Sequence, residues 1–139
     1  MNYKIIGKYI KDLNFSIPSP KTFFLLSKDI ANYKINIDIK SSRIKENIIE
    51  VLTSINLQPT NTNLEKINTK IVFAAIIELN TNKIEKEELE KIILVEVPTQ
   101  IYGELRQIFI YLFERSGFRE VKINETVDFQ KLYNMKKFQ

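Results

Sequence analysis

The chain has 139 residues, 44% hydrophobic and 27% charged, which are proportions typical of one globular domain over residues 1–139. It contains no Cys and no His, which excludes disulfides, thiolate metal sites and every mechanism that needs an imidazole base. Its three glycines are too far apart for a phosphate-binding loop. We therefore expect a binding protein rather than an enzyme, with no metal and no cofactor.

The net charge of +4 arises in the first forty residues, which hold seven Lys and three Asp, whereas residues 41–139 hold fourteen basic and fourteen acidic residues. A basic segment can indicate nucleic-acid binding, which stays an alternative. Dispersed lysines without any Arg instead favour a solvated strand face. Lysines also interrupt each apolar run near the N-terminus, and no run reaches the roughly 18 residues of a membrane span. We expect neither a signal peptide nor a membrane span, and a cytoplasmic location.

Apolar and polar residues alternate in three segments, which predicts strands over 3–17, 33–40 and 48–58, and a fourth strand is predicted over 70–79. The nearly continuous apolar run in the last of these predicts a strand covered on both faces. A turn is expected around 41–47 and a loop over 59–69, and residues 21–31 are expected to be a connection. One face of the first strand is predicted to carry Tyr3, Ile5, Gly7, Tyr9, Lys11, Leu13 and Phe15.

The hydrophobic period becomes helical after residue 82. Asn82 and Glu85 predict a capping-box start, and Pro98 is expected to break this helix and begin the next. Gly117 is predicted to end the second helix, and a short helix is expected over 127–138. Strands followed by helices predict an α+β fold, in which a four-stranded antiparallel sheet has helices packed on one face.

Two apolar features indicate surfaces for partners. The long helix is apolar on nearly all sides between residues 108 and 113, and one sheet can cover only one side, so a second subunit is expected to cover the other. The predicted oligomer interface comprises Ile108, Phe109, Ile110, Tyr111, Leu112 and Phe113. The cluster at 23–26 has two interpretations, a plug that closes the core or an exposed surface for a partner.

An ordered set of segments over nearly the whole chain resembles the SecB family of protein-export chaperones. The segments are KYIKDLNFSIPSP at 8–20, INIDIKSSRIKENIIEVLTSINL at 35–57, EELEKIILVEVP at 87–98, Arg106, SGF at 116–118 and DFQKLY at 128–133. The resemblance implies a SecB-like fold and a homotetramer, built as a dimer of dimers with the long helices between the sheets. It also implies a holdase that keeps unfolded precursor proteins export-competent for the Sec pathway and passes them to the SecA motor ATPase.

The resemblance also suggests which residues carry these roles. Asp12 is expected to dock on the motor. The expected client-binding groove comprises Phe23, Phe24, Leu25, Tyr33, Ile35 and Ile37. For Ile35 and Ile37 the alternative is ordinary packing in the sheet core. A second alternative inside the family is a chaperone of a toxin–antitoxin pair.

The chain departs from the family pattern in ways that concern motor docking most. Ser16 stands where the family has a second acidic residue, and Gly103 stands where its long helix has a Pro. The family's paired glycines in the fourth strand are missing. Members are typically acidic and have a C-terminal tail that aids motor contact, whereas this chain is basic and its tail is expected to be absent after Gln139. We therefore expect weaker or rearranged motor docking.

Overall fold

The computed structural model describes residues 2–29, 33–59, 68–81, 83–118, 123 and 125–137. The strands are β1 (Tyr3–Ser16), β2 (Tyr33–Lys45), β3 (Ile48–Pro59) and β4 (Asn68–Leu79), and helix α1 (Pro20–Asp29) joins β1 to β2. After β4 come α2 (Lys86–Lys91), a π-helical turn (Ile92–Glu96), α3 (Val97–Arg115) and α4 (Phe129–Lys137). No helix in this described part of the chain is long and apolar enough to cross a membrane.

The four strands form one antiparallel sheet in the order β1-β4-β3-β2, which confirms the predicted α+β class. The central strands are β3 and β4, as the continuous apolar run of β4 predicted. The turn expected around 41–47 is shorter than predicted, because residues 41–45 continue β2 and pair with the beginning of β3. Only Glu46 and Asn47 remain in the turn.

Helices cover one face of the sheet, which we call the helix face, and in the described part of the chain they leave the other face, the open face, uncovered. Apolar residues on the helix face align across neighbouring strands, because directly opposed residues share a face. In one such row Leu13 lies opposite Ile71, Ile71 opposite Ile55, and Ile55 opposite Ile37. Ile71 and Ile55 in the middle of this row are fully buried, and each contributes about 1.5–3 kcal/mol. The helix face therefore supplies most of the core.

Two β-bulges in β1 change which of its residues share a face. The register shifts between Ile5 and Gly7 and again between Ile10 and Asp12. A bulge adds one residue to one strand and so reverses the alternation that follows it. The predicted single face was therefore wrong: Gly7 and Tyr9 lie on the open face, whereas Ile10 lies on the helix face opposite Phe73.

The connection predicted over residues 21–31 is instead mostly helix α1, so that expectation was wrong. Ser19 caps the helix, since its Oγ accepts a hydrogen bond from the Thr22 N–H at 3.1 Å, and Pro20 occupies the first helical position. The helix turns Leu26 into the core and leaves Phe24 70% exposed.

Pro98 lies in the first turn of α3, as predicted, but the helical backbone does not break there, because residues 86–115 are helical throughout. A proline lacks the N–H that an α-helix would use, and here the π-helical turn ends at Glu96, two residues before Pro98. Thr99 Oγ1 donates to the Val95 carbonyl at 2.6 Å, which gives that carbonyl a partner. The predicted capping box was also wrong, since Glu85 is itself the N-cap and makes no side-chain cap bond, while Asn82 lies outside the described residues.

The prediction that Gly117 ends the long helix is confirmed. Its φ is 93°, a conformation that favours glycine. Two backbone hydrogen bonds close the helix, from the Phe118 N–H to the Phe113 carbonyl at 2.9 Å and from the Gly117 N–H to the Glu114 carbonyl at 3.1 Å. This pair of bonds is the Schellman arrangement. The predicted C-terminal helix is also present, as α4.

Candidate functional site

An apolar cavity of about 230 Å³, which we call the β2 pocket, lies between β2, the π-helical turn and α4. Its lining comprises Ile37, Asp38, Ile39, Leu94, Phe129, Leu132, Tyr133 and Met135. Leu132 and Met135 are 46% and 53% exposed. Small-molecule sites usually measure about 300–1,000 Å³. The smaller volume and the exposed apolar lining therefore suit one or two side chains of another polypeptide.

Several local interactions hold α4 against the rest of the subunit. The Lys131 N–H donates to Asp128 Oδ1 at 2.9 Å, which caps the helix. Phe129 is buried and its ring makes an edge contact with Tyr102 at 6.1 Å. The Tyr133 hydroxyl donates to Glu90 Oε2 at 3.2 Å, which links α4 to α2. The wall of the pocket is thus fixed by residues on three helices.

The structure brings only part of the expected client groove together. Ile37 lines the β2 pocket, and Tyr33 and Ile35 are half-buried against the core on the same face of β2. In contrast, Phe23 packs on Phe118 with ring centroids 5.0 Å apart, at the far end of α3. No residue of α1, including Phe24 and Leu25, is part of the pocket lining that the structure describes.

Of the residues that line the β2 pocket, the sequence predicted only Ile37 as a client-binding residue. The omitted residues are Asp38, Ile39, Leu94, Phe129, Leu132, Tyr133 and Met135. A signal was present, because the apolar side of the C-terminal helix has to pack against another apolar surface. The apolar positions of the alternating strand at 33–39 offer such a surface.

A second apolar surface, the β1 groove, lies between β1 and α3 and encloses about 550 Å³. It is lined by Ile10, Leu13, Phe73, Glu104, Gln107, Ile108, Tyr111 and Leu112. Tyr111 is 60% exposed, and Ile10 and Leu13 are also exposed. The helix leaves Ile10 and Leu13 of the edge strand uncovered, so apolar side chains face solvent here.

The predicted oligomer interface divides between this groove and the core. Ile108, Tyr111 and Leu112 line the β1 groove, and Ile110 is half-buried. Phe109 and Phe113 are fully buried inside the subunit, with their rings 4.8 Å apart. We correct their assignment, because a side chain with no accessible surface belongs to the core and cannot contact a second copy.

Asp12 lies exposed on the open face, opposite Val72, and accepts a hydrogen bond from Asn14 Nδ2 at 3.1 Å. The carboxylate of Glu50 lies on the same face, where it accepts a hydrogen bond from the Tyr9 hydroxyl and one from Lys11 Nζ at 2.8 Å. The hydrogen bond from Lys11, and to a smaller extent the one from Tyr9, lowers the pKa of Glu50 below its usual range. The same contact with Glu50 raises the pKa values of Tyr9 and Lys11.

The lysines of the first forty residues do not form one basic patch in the described part of the chain. Three of them form ion pairs at 2.6–3.3 Å: Lys4 with Glu78, Lys8 with Glu104, and Lys11 with Glu50. The second pair lies on the helix face and the other two on the open face. Paired and divided cations favour the interpretation of solvated strand faces over a nucleic-acid surface.

The family model described as the preprotein translocase subunit SecB matches residues 1–139. This chain belongs to the SecB family. The putative protein-export protein SecB of Pelagibacter ubique is 38% identical over 97% of this chain and 96% of its own length. The protein-export protein SecB of Anaplasma phagocytophilum is 22% identical over 94% of this chain and 89% of its own.

A solved structure has the same fold. The SecB-like chaperone of Mycobacterium tuberculosis, in complex with a peptide from an antitoxin, matches with a TM-score of 0.65 and 14% identity, over 91% of this chain and 88% of that one. The SecB relatives are named for protein export, so the chain is a chaperone of the Sec export pathway, and the toxin–antitoxin alternative is not favoured.

Proposed function

We propose that this SecB-family chain is a non-enzymatic, cytoplasmic holdase that binds unfolded precursor proteins in the β2 pocket. The observation that carries the proposal is an apolar cavity whose lining includes exposed Leu132 and Met135 beside an edge strand. Unfolded chains display the apolar side chains that such a cavity can remove from water, and folded proteins hide them. Selection for non-native chains follows from this difference without nucleotide or chemistry.

One pocket alone gives weak binding. A large side chain contributes about 1.5–3 kcal/mol on burial, and part of this gain offsets the ordering of the client. An assembly with several pockets can hold one long chain at several points, which raises the overall affinity through effective concentration. The mechanism therefore benefits from an oligomer.

Assembly into a homotetramer, as a dimer of dimers, is the second part of the proposal. The β1 groove supports it, because its exposed residues Ile10, Leu13 and Tyr111 form an apolar area that a second copy can cover. The groove and the β2 pocket lie at opposite edges of the sheet, since β1 and β2 are the two edge strands. Subunit contacts at β1 would thus leave the pocket accessible.

Delivery to the SecA motor ATPase is the third part, and Asp12 is the proposed docking residue. Its exposed carboxylate on the open face supports this role, because a motor could bind there while the helix face keeps its client. Ser16 is also exposed but contributes no charge. Docking is therefore expected to depend on Asp12 more than it would with two acidic residues.

The test of client binding uses Leu132→Ser/Met135→Ser as the variant and Ile44→Ser as the matched control. Ile44 is 56% exposed on β2 and lies outside the described pocket lining. Binding of a labelled, reduced and alkylated protein, followed by fluorescence anisotropy, should weaken about tenfold or more in the pocket variant, because apolar burial is lost at two positions.

The control should bind as the parent does, and both variants should keep the parent circular dichroism spectrum. Affinity should change little between about 50 and 200 mM salt, a range over which binding through several phosphates falls by orders of magnitude. Equal binding by the pocket variant and the control would contradict the proposed site.

A further inference from the structure

We propose that Glu50 is a positioning residue for assembly, which acts through the orientation of β1 and not by contact with a second copy. By binding Tyr9 and Lys11, it holds residues 7–10 with Ile10 in the β1 groove. The inference rests on the proposed function, because that groove is the surface proposed there for a second copy. It identifies the residue that decides which side chains β1 contributes to the groove.

The two β-bulges of β1 enclose a segment, residues 7–10, whose side chains face the opposite way from those at the ends of the strand. Tyr3, near the beginning of the strand, is buried on the helix face, and Phe15, near its end, lies on the same face with its ring against α3. Each bulge reverses the alternation, so odd-numbered positions face the helices at both ends of the strand but not between the bulges. Ile10, and not Tyr9, therefore lies on the helix face.

The pattern of the segment does not by itself select this orientation. β1 has 14 residues where β4 has 12, so two residues of β1 have to be accommodated as extra residues. If both followed Tyr9, the ends of the strand would keep their partners, but Tyr9 would take the place of Ile10 opposite Phe73. The hydrophobic alternation favours that arrangement, since it predicts Tyr9 on the same face as the two ends. Another interaction must therefore hold the observed orientation.

Glu50 supplies that interaction from β3. Its carboxylate lies on the open face, where Oε2 accepts a hydrogen bond from the Tyr9 hydroxyl and Oε1 accepts one from Lys11 Nζ at 2.8 Å. Because β4 lies between β1 and β3, both side chains cross over it, and Ala74 of β4, opposite Tyr9 on this face, has no accessible surface. A Tyr9 side chain on the helix face would be separated from Glu50 by the sheet, so its hydrogen bond is made only in the observed orientation.

The helix face holds the same segment less strongly. Lys8 Nζ pairs with Glu104 Oε1 of α3 at 2.6 Å, but both side chains are nearly half exposed, and exposed ion pairs contribute little. Glu50 is 8% exposed and accepts two hydrogen bonds, one of them from a cation. Charge-assisted bonds are the stronger ones, and shelter from water strengthens them further. We therefore assign the orientation of the segment to Glu50 rather than to Glu104.

Two variants remove the contact from opposite sides. Glu50→Leu removes both acceptors, and Tyr9→Phe/Lys11→Met removes both donors. The matched control is Glu78→Leu, because Glu78 pairs with Lys4 at 3.3 Å on the same open face but outside the segment between the bulges. The dissociation constant of the assembly, measured by sedimentation, should rise about tenfold or more in both variants, since each subunit loses the burial of one large apolar side chain. The control should assemble as the parent does.

Cross-strand nuclear Overhauser contacts report the orientation itself, which a merely structural role of Glu50 would leave unchanged. The contact between Ile10 and Phe73 in the parent should be replaced in both variants by one between residue 9 and Phe73. The exchanged pair Lys11→Glu/Glu50→Lys restores the ion pair and should recover the parent's contact and assembly. The triple variant Tyr9→Phe/Lys11→Met/Glu50→Leu should weaken assembly no more than Glu50→Leu does, because the three groups belong to one contact.

The outcomes separate the inference from the proposed function. If Glu50→Leu does not fold, Tyr9→Phe/Lys11→Met decides alone, since both of its positions are exposed. Weaker assembly with the Ile10–Phe73 contact retained would overturn the inference, and so would a changed contact with unaltered assembly. Unchanged assembly and contact in both variants would overturn it as well. A parent with the chain mass of 16.4 kDa would refute the proposed assembly, and the cross-strand contacts would still show whether Glu50 sets the orientation of residues 7–10.

Discussion

Phe23 and Phe24 are chemically identical neighbours in different surroundings, so replacing each by Ser separates a core role from a surface role. The Phe23 ring packs on Phe118, and its carbons lie 3.3 Å from the position that a Cβ on Gly117 would occupy. Phe24 is 70% exposed. We expect Phe23→Ser to lower the free energy of unfolding substantially and Phe24→Ser to change it little.

The expected magnitudes follow from the burial of each side chain. Truncating a fully buried Phe costs about 3–5 kcal/mol. Phe23 is half-buried, so about 2–3 kcal/mol is expected for its replacement. Full burial of a Phe contributes about 1.5–3 kcal/mol, and Phe24 is 70% exposed, so about 0.5–1 kcal/mol is at stake there.

Urea unfolding followed by circular dichroism measures both values, with the denaturant slope as a check that the unfolded states are comparable. Equal losses of stability in the two variants would refute the reasoning, because they would mean that Phe24 is packed as Phe23 is. The stable Phe24→Ser variant then tests the remaining expectation for α1. If Phe24 holds clients, affinity for an unfolded protein should fall by about three- to tenfold without loss of folding.

Three further predictions concern Glu50, Tyr111 and Asp12. In the folded protein the pKa of Glu50 lies below its ordinary value of 4.5. The carboxylate therefore stabilises the fold above that pH, and this contribution is lost as the pH falls through the lower folded value. Glu50→Gln should remove this acid dependence, which urea unfolding at pH values on both sides of 4.5 would measure. Tyr111→Asp should split the assembly, and so should Ile110→Asp if that half-buried side chain also meets a second copy, because an unpaired charge would be buried there. Light scattering at micromolar concentration should give about four times the chain mass of 16.4 kDa for the parent and less for the variants. Parent-like mass in both would exclude these positions from the interface. Asp12→Lys should abolish binding to the cognate SecA motor and leave client binding unchanged, whereas motor binding equal to the parent would remove Asp12 from the docking surface.

Much of the fold follows from short-range patterns that are visible in the sequence. Alternation at 33–39 and the continuous apolar run at 71–77 depend on which faces of a strand are buried, and both strands are where the pattern placed them. The end of the long helix at Gly117 is similarly local, because the conformation with φ of 93° favours glycine. These features depend on backbone geometry and on neighbours only a few residues away.

The long helix shows where local rules stop being sufficient. Pro98 predicts a break, but residues 86–115 are helical throughout, and the π-helical turn before α3 carries Leu94 into the lining of the β2 pocket. The two bulges of β1 likewise depend on its pairing with β4, and they place Ile10 rather than Tyr9 on the helix face. Neither the π-helical turn nor the bulges can be predicted from the hydrophobic period of the segment that contains them.

The hydrophobic pattern alone predicts the two elements of the candidate site, an alternating apolar strand and a C-terminal helix with one apolar side, without catalytic groups. The contacts between elements show that β2 meets α4 in one cavity while Phe23 packs at the far end of α3. It also decided that Phe109 and Phe113 lie in the core, whereas Tyr111 faces solvent. The physical reason is that the period of a segment fixes which residues share a face, but contacts between elements distant in the chain determine what that face packs against.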